Sequence, residues 1–117
     1  MLIVDDHASF RAAARDLLTQ RGFAVVGEAG SAESALTEAA RLRPDAILLD
    51  VQLGQGGNGF EVARALRRSC PEAAVLLVSS CDYGCAEDLL RNVGAAGFVL
   101  KSRLLDEDLG TYWPTRD

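Results

Sequence analysis

Lysine and histidine are almost missing from this chain, where Lys101 and His7 stand alone against eleven arginines. With a formal net charge of −5, the chain has no general basic surface to reward direct binding of nucleic acid or of an anionic membrane. No apolar run approaches the length that crosses a bilayer, so no membrane span is expected. The opening Met1-Leu2-Ile3-Val4 runs straight into two aspartates, without the basic stretch and apolar core of a secretory leader, and a cytoplasmic location is the expectation. Cysteine is sparse too. Cys70, Cys81 and Cys85 are an odd number, unsuited to a disulfide framework, and read as free thiols in a reducing compartment. Cys81 and Cys85 fall on one side of a predicted helix, but two ligands do not close a metal site.

What is present describes a folded α/β domain. The chain is 117 residues long, 49% hydrophobic and 25% charged, enough for one domain that buries roughly two-thirds of the surface its unfolded form exposes. No repeat, linker or low-complexity stretch interrupts residues 1–117, which read as a single domain with no output domain following. Short apolar runs at 2–4, 23–28, 46–49, 74–78 and 97–100 alternate with helical periodicities. That alternation predicts a doubly wound parallel sheet of five strands with helices on both faces.

The first helix is expected to turn Phe10, Ala13, Ala14, Leu17 and Leu18 inward and to stop at Gly22. The second is expected to start at Ser31 as N-cap, bury Ala32, Ala35, Leu36 and Ala39, and end before Pro44. A third spans about 59–69, and a fourth carries Ala86, Leu89, Leu90 and Val93. The fifth is expected to be short, because Gly110 and Trp113-Pro114 follow closely on Leu104, Leu105 and Leu109.

In a parallel doubly wound sheet every strand's carboxyl end opens on one edge, where ligands bind. The residues delivered there are Asp5 and Asp6 after the first strand, Asp50 after the third, Ser79 and Ser80 after the fourth, and Lys101 after the fifth. Three carboxylates meeting in a crevice repel one another unless a cation sits between them. Oxygen ligands with room for waters and a phosphate oxygen suit Mg²⁺. One carboxylate could then attack phosphorus in line, with Ser79 donating to one phosphoryl oxygen and Lys101 pairing with another. In a chain that otherwise uses arginine, a compact ammonium at this strand end fits a small crowded site. Helix capping could account for one of Asp5 and Asp6, hardly for both.

With those residues in place, the chain resembles the receiver domain of bacterial two-component response regulators from Leu2 to about Ser102. The matching segments are Ile3-Val4-Asp5-Asp6-His7, Ile47-Leu48-Leu49-Asp50-Val51-Gln52-Leu53, residues 75–80 and Gly94-Ala95-Ala96-Gly97-Phe98-Val99-Leu100-Lys101. The opening, with Phe10-Arg11 behind it, is similar to the subfamily whose full-length members carry a helix-turn-helix output domain. The resemblance implies a flavodoxin-like (βα)5 fold with strand order 2-1-3-4-5, here with a shortened fifth helix. It implies Asp50 as phosphoacceptor, assisting its own phosphorylation and dephosphorylation rather than turning over a separate substrate. The implied Mg²⁺ ligands are Asp6, Asp50 and the backbone carbonyl of Gln52, with Asp5 acting mainly through water. Ser79 is implied as the switch hydroxyl, because it lies 22 residues before Lys101, the family's usual interval, and Phe98 as the switch aromatic. Implied partners are a sensor histidine kinase, a downstream protein or fused output domain, and a second copy of the chain.

The departures are specific. Gly54 stands where the family usually has proline, and Asn58-Gly59 arrives one residue late, so the loop is longer. Ser102 replaces the proline that often follows the lysine, which removes the usual reason to expect a cis peptide there. Three other readings compete. The Gly54-Gln55-Gly56-Gly57-Asn58-Gly59 loop matches a dinucleotide-binding pattern, but it follows the third strand, lacks an acidic residue about twenty positions on, and adjoins carboxylates that would repel a pyrophosphate. A hydrolase using the same nucleophile would want an acid two residues after Asp50, where Gln52 stands. A degenerate interaction module that keeps the fold without the switch is opposed by the complete acidic set.

Overall fold

The computed structural model describes residues 1–51, 59–79 and 97–104. The expected fourth and fifth helices, Gln52, the stretch from Gly54 to Asn58, Ser80, Cys81 and Cys85 lie outside the described residues. In chain order the elements are β1 (Leu2–Val4), α1 (Ala8–Gln20), β2 (Gly27–Ala29), α2 (Ala32–Leu42), β3 (Ala46–Asp50), α3 (Gly59–Ser69), β4 (Ala74–Ser79) and β5 (Gly97–Leu100). A 3-10 turn over Lys101–Arg103 closes the described chain. The five strands form one sheet of order β2-β1-β3-β4-β5, every pair parallel.

The continuous apolar strands make sense once both faces of the sheet are covered. Successive strand residues point to opposite faces, so Leu2, Val4, Ile47, Leu49, Val75 and Leu77 join Ala35, Ala39, Val62 and Leu66 in one layer. Ile3, Leu48, Leu76 and Val78 pack with Ala14 and Leu18 in the other. Leu48, Leu49, Leu76 and Leu77 are fully buried, and each such side chain contributes about 2 kcal/mol of burial energy. This two-sided burial fixes the register that brings the strand ends level.

Helix boundaries follow the local chemistry. Ser31 caps α2 through a reciprocal pair in which the Ser34 amide donates to Ser31 Oγ at 3.1 Å and the Ser31 amide donates to Ser34 Oγ at 3.1 Å. Its other end closes on Arg43, which takes a left-handed φ of 46° just before Pro44, whose ring disfavours a further helical residue. Gly22 follows α1 with a φ of 90°, a conformation that costs glycine little.

Two expectations need correction. The second strand occupies Gly27–Ala29 rather than 23–28, because the Phe23 amide is taken by Leu18 O at 2.9 Å, while Ala24 and Val26 meet only Met1, ahead of β1, at 2.7 and 2.9 Å. Ala13 is exposed, while Ala14 and Leu18 supply the buried stripe of α1. Phe10 and Leu17 pack half-buried beside them, so Ala13 alone of the expected stripe faces outward.

Candidate functional site

Asp5 leaves β1 with its amide still donating to Ala29 O at 3.0 Å, so its side chain is aimed by the sheet rather than by a free loop. It is fully buried, and Asp50, the last residue of β3, is 2% exposed. Charged groups at such depth are expensive unless paired. Asp5 divides its two oxygens between two tasks. Oδ1 accepts the His7 amide at 2.8 Å, which starts α1, while Oδ2 lies 2.6 Å from Lys101 Nζ. At that distance the contact is a tight, charge-assisted ion pair. Asp6, its side chain 29% exposed, stands at the rim, so the two aspartates have different jobs.

Lys101 comes from the far side of the sheet, on the 3-10 turn after β5, and its Nζ also lies 3.2 Å from Asp50 Oδ2. The ring of Phe10 covers the ammonium at 4.3 Å, a cation–π contact that replaces water on one side. Burial alone would push the Lys101 pKa down from the ordinary 10.5, but the Asp5 and Asp50 carboxylates more than offset it and hold the ammonium above that value.

Asp5, Asp6, His7 and Asp50 each present one donor atom within 4.8 Å of the others. Three carboxylates and one ammonium leave a local excess of negative charge, and the carboxylate oxygens are hard donors. Both properties fit a divalent cation.

Ser79, fully buried, ends β4 opposite Leu100, the residue before Lys101. It therefore sits at the same sheet edge as Asp50. Phe98, on β5, is half-buried against the layer that includes α2 and α3. Gly59 opens α3 directly over the backbone of Asp50 and Val51: its amide donates to Val51 O at 2.6 Å, and a Cβ there would meet the Asp50 carbonyl oxygen and Val51 Cα. Glycine is required at that point for close approach. This role belongs to helix packing and owes nothing to phosphate binding by a glycine loop.

Three contributors were not read from the sequence as site residues. His7 brings Nδ1 to 3.2 Å from Asp5 Oδ1 and 3.0 Å from Asp6 Oδ1. Arg11 Nη1 donates to the Asp5 carbonyl at 2.6 Å while its Nε donates to Glu28 at 3.1 Å, tying α1 to the end of β1 and to β2. Phe10, assigned to an apolar stripe and quoted with Arg11 in the resemblance but given no role in the site, screens Lys101. Only His7 carried a usable signal, by directly following the aspartate pair.

The family of response regulator receiver domains matches residues 1–109. The response regulator GacA of Pseudomonas viridiflava is 38% identical over 108 residues, which are 92% of this chain and 50% of that protein. The nitrate/nitrite response regulator protein NarP of Escherichia coli K12 is 38% identical over 102 residues, 86% of this chain and 47% of its own length. Among solved structures, a LuxR-family two-component response regulator from Aurantimonas sp. SI85-9A1 superposes with a TM-score of 0.82 at 31% identity, over 91% of this chain and 76% of the other. The receiver domain of NarL from Mycobacterium tuberculosis superposes at 0.79 and 35% identity, over 91% and 86%.

This chain belongs to the response regulator receiver domains, the modules through which two-component phosphorelays pass their signal. The dinucleotide-binding and interaction-module alternatives are not favoured. The chain spans about half the length of relatives such as GacA and NarP. No helix among the described residues is long and apolar enough to cross a membrane.

Proposed function

We propose that this chain accepts a phosphoryl group on Asp50 from a sensor histidine kinase, and that Asp5, Asp6, Asp50 and the Gln52 carbonyl hold the Mg²⁺ that assists the transfer. The observation that carries the reading is the buried Asp5–Lys101–Asp50 ion-pair chain, at 2.6 and 3.2 Å, set at the carboxyl edge of the sheet. A structural salt bridge needs one carboxylate. Here the lone lysine faces two buried ones with a third at the rim, a charge imbalance that a bound phosphoryl group and cation would complete.

In the reaction, an Asp50 carboxylate oxygen attacks phosphorus as the donor's bond to phosphorus breaks, giving an aspartyl phosphate. Bound Mg²⁺ supplies neutralisation of charge on the transferring phosphoryl oxygens. Lys101 leaves its Asp50 contact to pair with a phosphoryl oxygen, still held by Asp5, and Ser79 donates its hydroxyl to another. Phe98 then repacks on β5, and the change is a shift between two preexisting arrangements. The chain acts on itself and turns over no separate substrate. Its output passes to a downstream partner or fused domain, with a second copy of the chain as a further partner.

Incubation with a small acyl phosphate and Mg²⁺ is expected to yield an acid-stable, base-labile phosphoprotein, which Asp50→Ala cannot form. Equal labelling of wild type and variant would sink the proposal.

A further inference from the structure

We infer that His7 is a protein ligand of the cation site, making it a mixed nitrogen–oxygen site that prefers a divalent transition ion over Mg²⁺; this rests on the proposed cation site. A site built from carboxylates and a backbone carbonyl offers only hard oxygen donors, which suit Mg²⁺. Imidazole changes that preference, because nitrogen donors raise affinity along the first transition row far more than for Mg²⁺.

The geometry around Nδ1 is the main support. It lies 3.0 Å from Asp6 Oδ1 and 3.2 Å from Asp5 Oδ1. In an octahedral shell with metal–ligand bonds of about 2.1 Å, adjacent ligand atoms are separated by about 3.0 Å. One ring nitrogen carries at most one proton, so it can donate to only one carboxylate at a time. A metal bound to all three atoms satisfies every one of them. Asp50 also brings an oxygen within 4.8 Å of the set, so four side chains can share one ion.

The remaining surroundings agree. Asp5 Oδ2 is taken by Lys101 Nζ at 2.6 Å, which leaves Oδ1 facing His7, and the backbone behind the aspartates is pinned: Arg11 holds the Asp5 carbonyl at 2.6 Å, and the His7 amide is tied to Asp5 Oδ1 at 2.8 Å. The His7 backbone is therefore fixed relative to the carboxylates, whereas its ring, 67% exposed, keeps the freedom to turn Nδ1 onto an ion. That ring makes no apolar packing contribution to the core, so replacing it leaves the fold in place.

The test is calorimetric titration of the unphosphorylated chain with Co²⁺ and, separately, Mg²⁺, for wild type, His7→Ala and His7→Gln, with circular dichroism confirming the fold of each. Loss of His7 should weaken Co²⁺ binding by about tenfold or more, within the range seen when metal-site groups are removed, and change Mg²⁺ binding by no more than about twofold. Bound Co²⁺ should also show a contact-shifted imidazole N–H resonance in the wild type that both variants lack. Equal weakening of both ions, unchanged Co²⁺ affinity in the variants, or Co²⁺ retention by His7→Gln would each overturn the inference. Labelling Asp50 with acyl phosphate and Mg²⁺ on the same samples separates the two levels. If wild type labels normally while the Co²⁺ results fail, only the role of His7 falls; if wild type binds neither ion and does not label, the underlying site reading falls with it.

Discussion

The two edges of the sheet are built from the same five strands, yet they hold opposite chemistries. At the amino edge, Met1, Phe23, Pro44 and Ala46 are buried, and two surface hollows of 180 and 340 Å³ open there. Those hollows bring no cluster of buried titratable groups together. At the carboxyl edge the strands end in Asp5, Asp50 and Ser79, all buried, with Lys101 drawn in between the two carboxylates. The proposed site lies where the sheet places charge against its burial cost, and not in the hollows of the amino edge. The apolar middle of the sheet makes the charged edge sustainable, since each fully buried leucine offsets part of what the unbalanced carboxylates cost.

Breaking either half should give distinguishable results. Leu48→Ala, in the apolar interior, should cost about 3 kcal/mol, read by urea denaturation, and the loss should be the same with and without Mg²⁺. Gly59→Ala should cost a similar amount, about 2–3 kcal/mol, because the new Cβ would have to displace the backbone at Asp50 and Val51. Unlike the leucine change, it should also slow the proposed phosphorylation by shifting Asp50.

Lys101→Ala should cost about 2 kcal/mol in EDTA, discounted for partial exposure of the lysine, since it leaves Asp5 and Asp50 buried without their cation. Mg²⁺ should recover most of that loss. Recovery by metal in this variant but not in Leu48→Ala would sharpen the contrast between the edges, and equal behaviour would erase it. Ser31→Ala, remote from both edges, should cost about 1 kcal/mol with no metal dependence.

The smallest effect is at alkaline pH. The folded-state pKa of Lys101 is raised above 10.5, so its stabilisation is fully present below the unfolded value and is lost as pH rises through the folded one. Wild type should therefore lose stability above about pH 10.5 more steeply than Lys101→Met in thermal melts.

The fold was legible because buried parallel strands write themselves as unbroken apolar runs, as at Ala46-Ile47-Leu48-Leu49. The exception shows the limit of that reading. Phe23-Ala24-Val25-Val26 is as apolar as a strand, yet its amides answer to Leu18 and Met1, and the ladder begins at Gly27, a residue with no strand preference that packs against the Leu42 side chain of α2. That constraint comes from the neighbouring helix and leaves no local trace.

The carboxylates and Lys101 were legible because topology alone gathers strand ends at one edge. Phe10, Arg11 and Glu28 were not, since their roles depend on the angle at which α1 crosses β1 and β2, and helical periodicity reports which residues face inward but not what they meet. His7 was open to notice by adjacency, but only the geometry gives its ring a use.

The measurement closest to the central claim locates the phosphoryl group itself. After acyl phosphate treatment with Mg²⁺, borohydride reduction converts an aspartyl phosphate to homoserine, and peptide mass spectrometry then reads the position. Homoserine at residue 50 and at neither Asp5 nor Asp6 is the expected result. Homoserine at Asp5 or Asp6, or none at any position, would contradict the account.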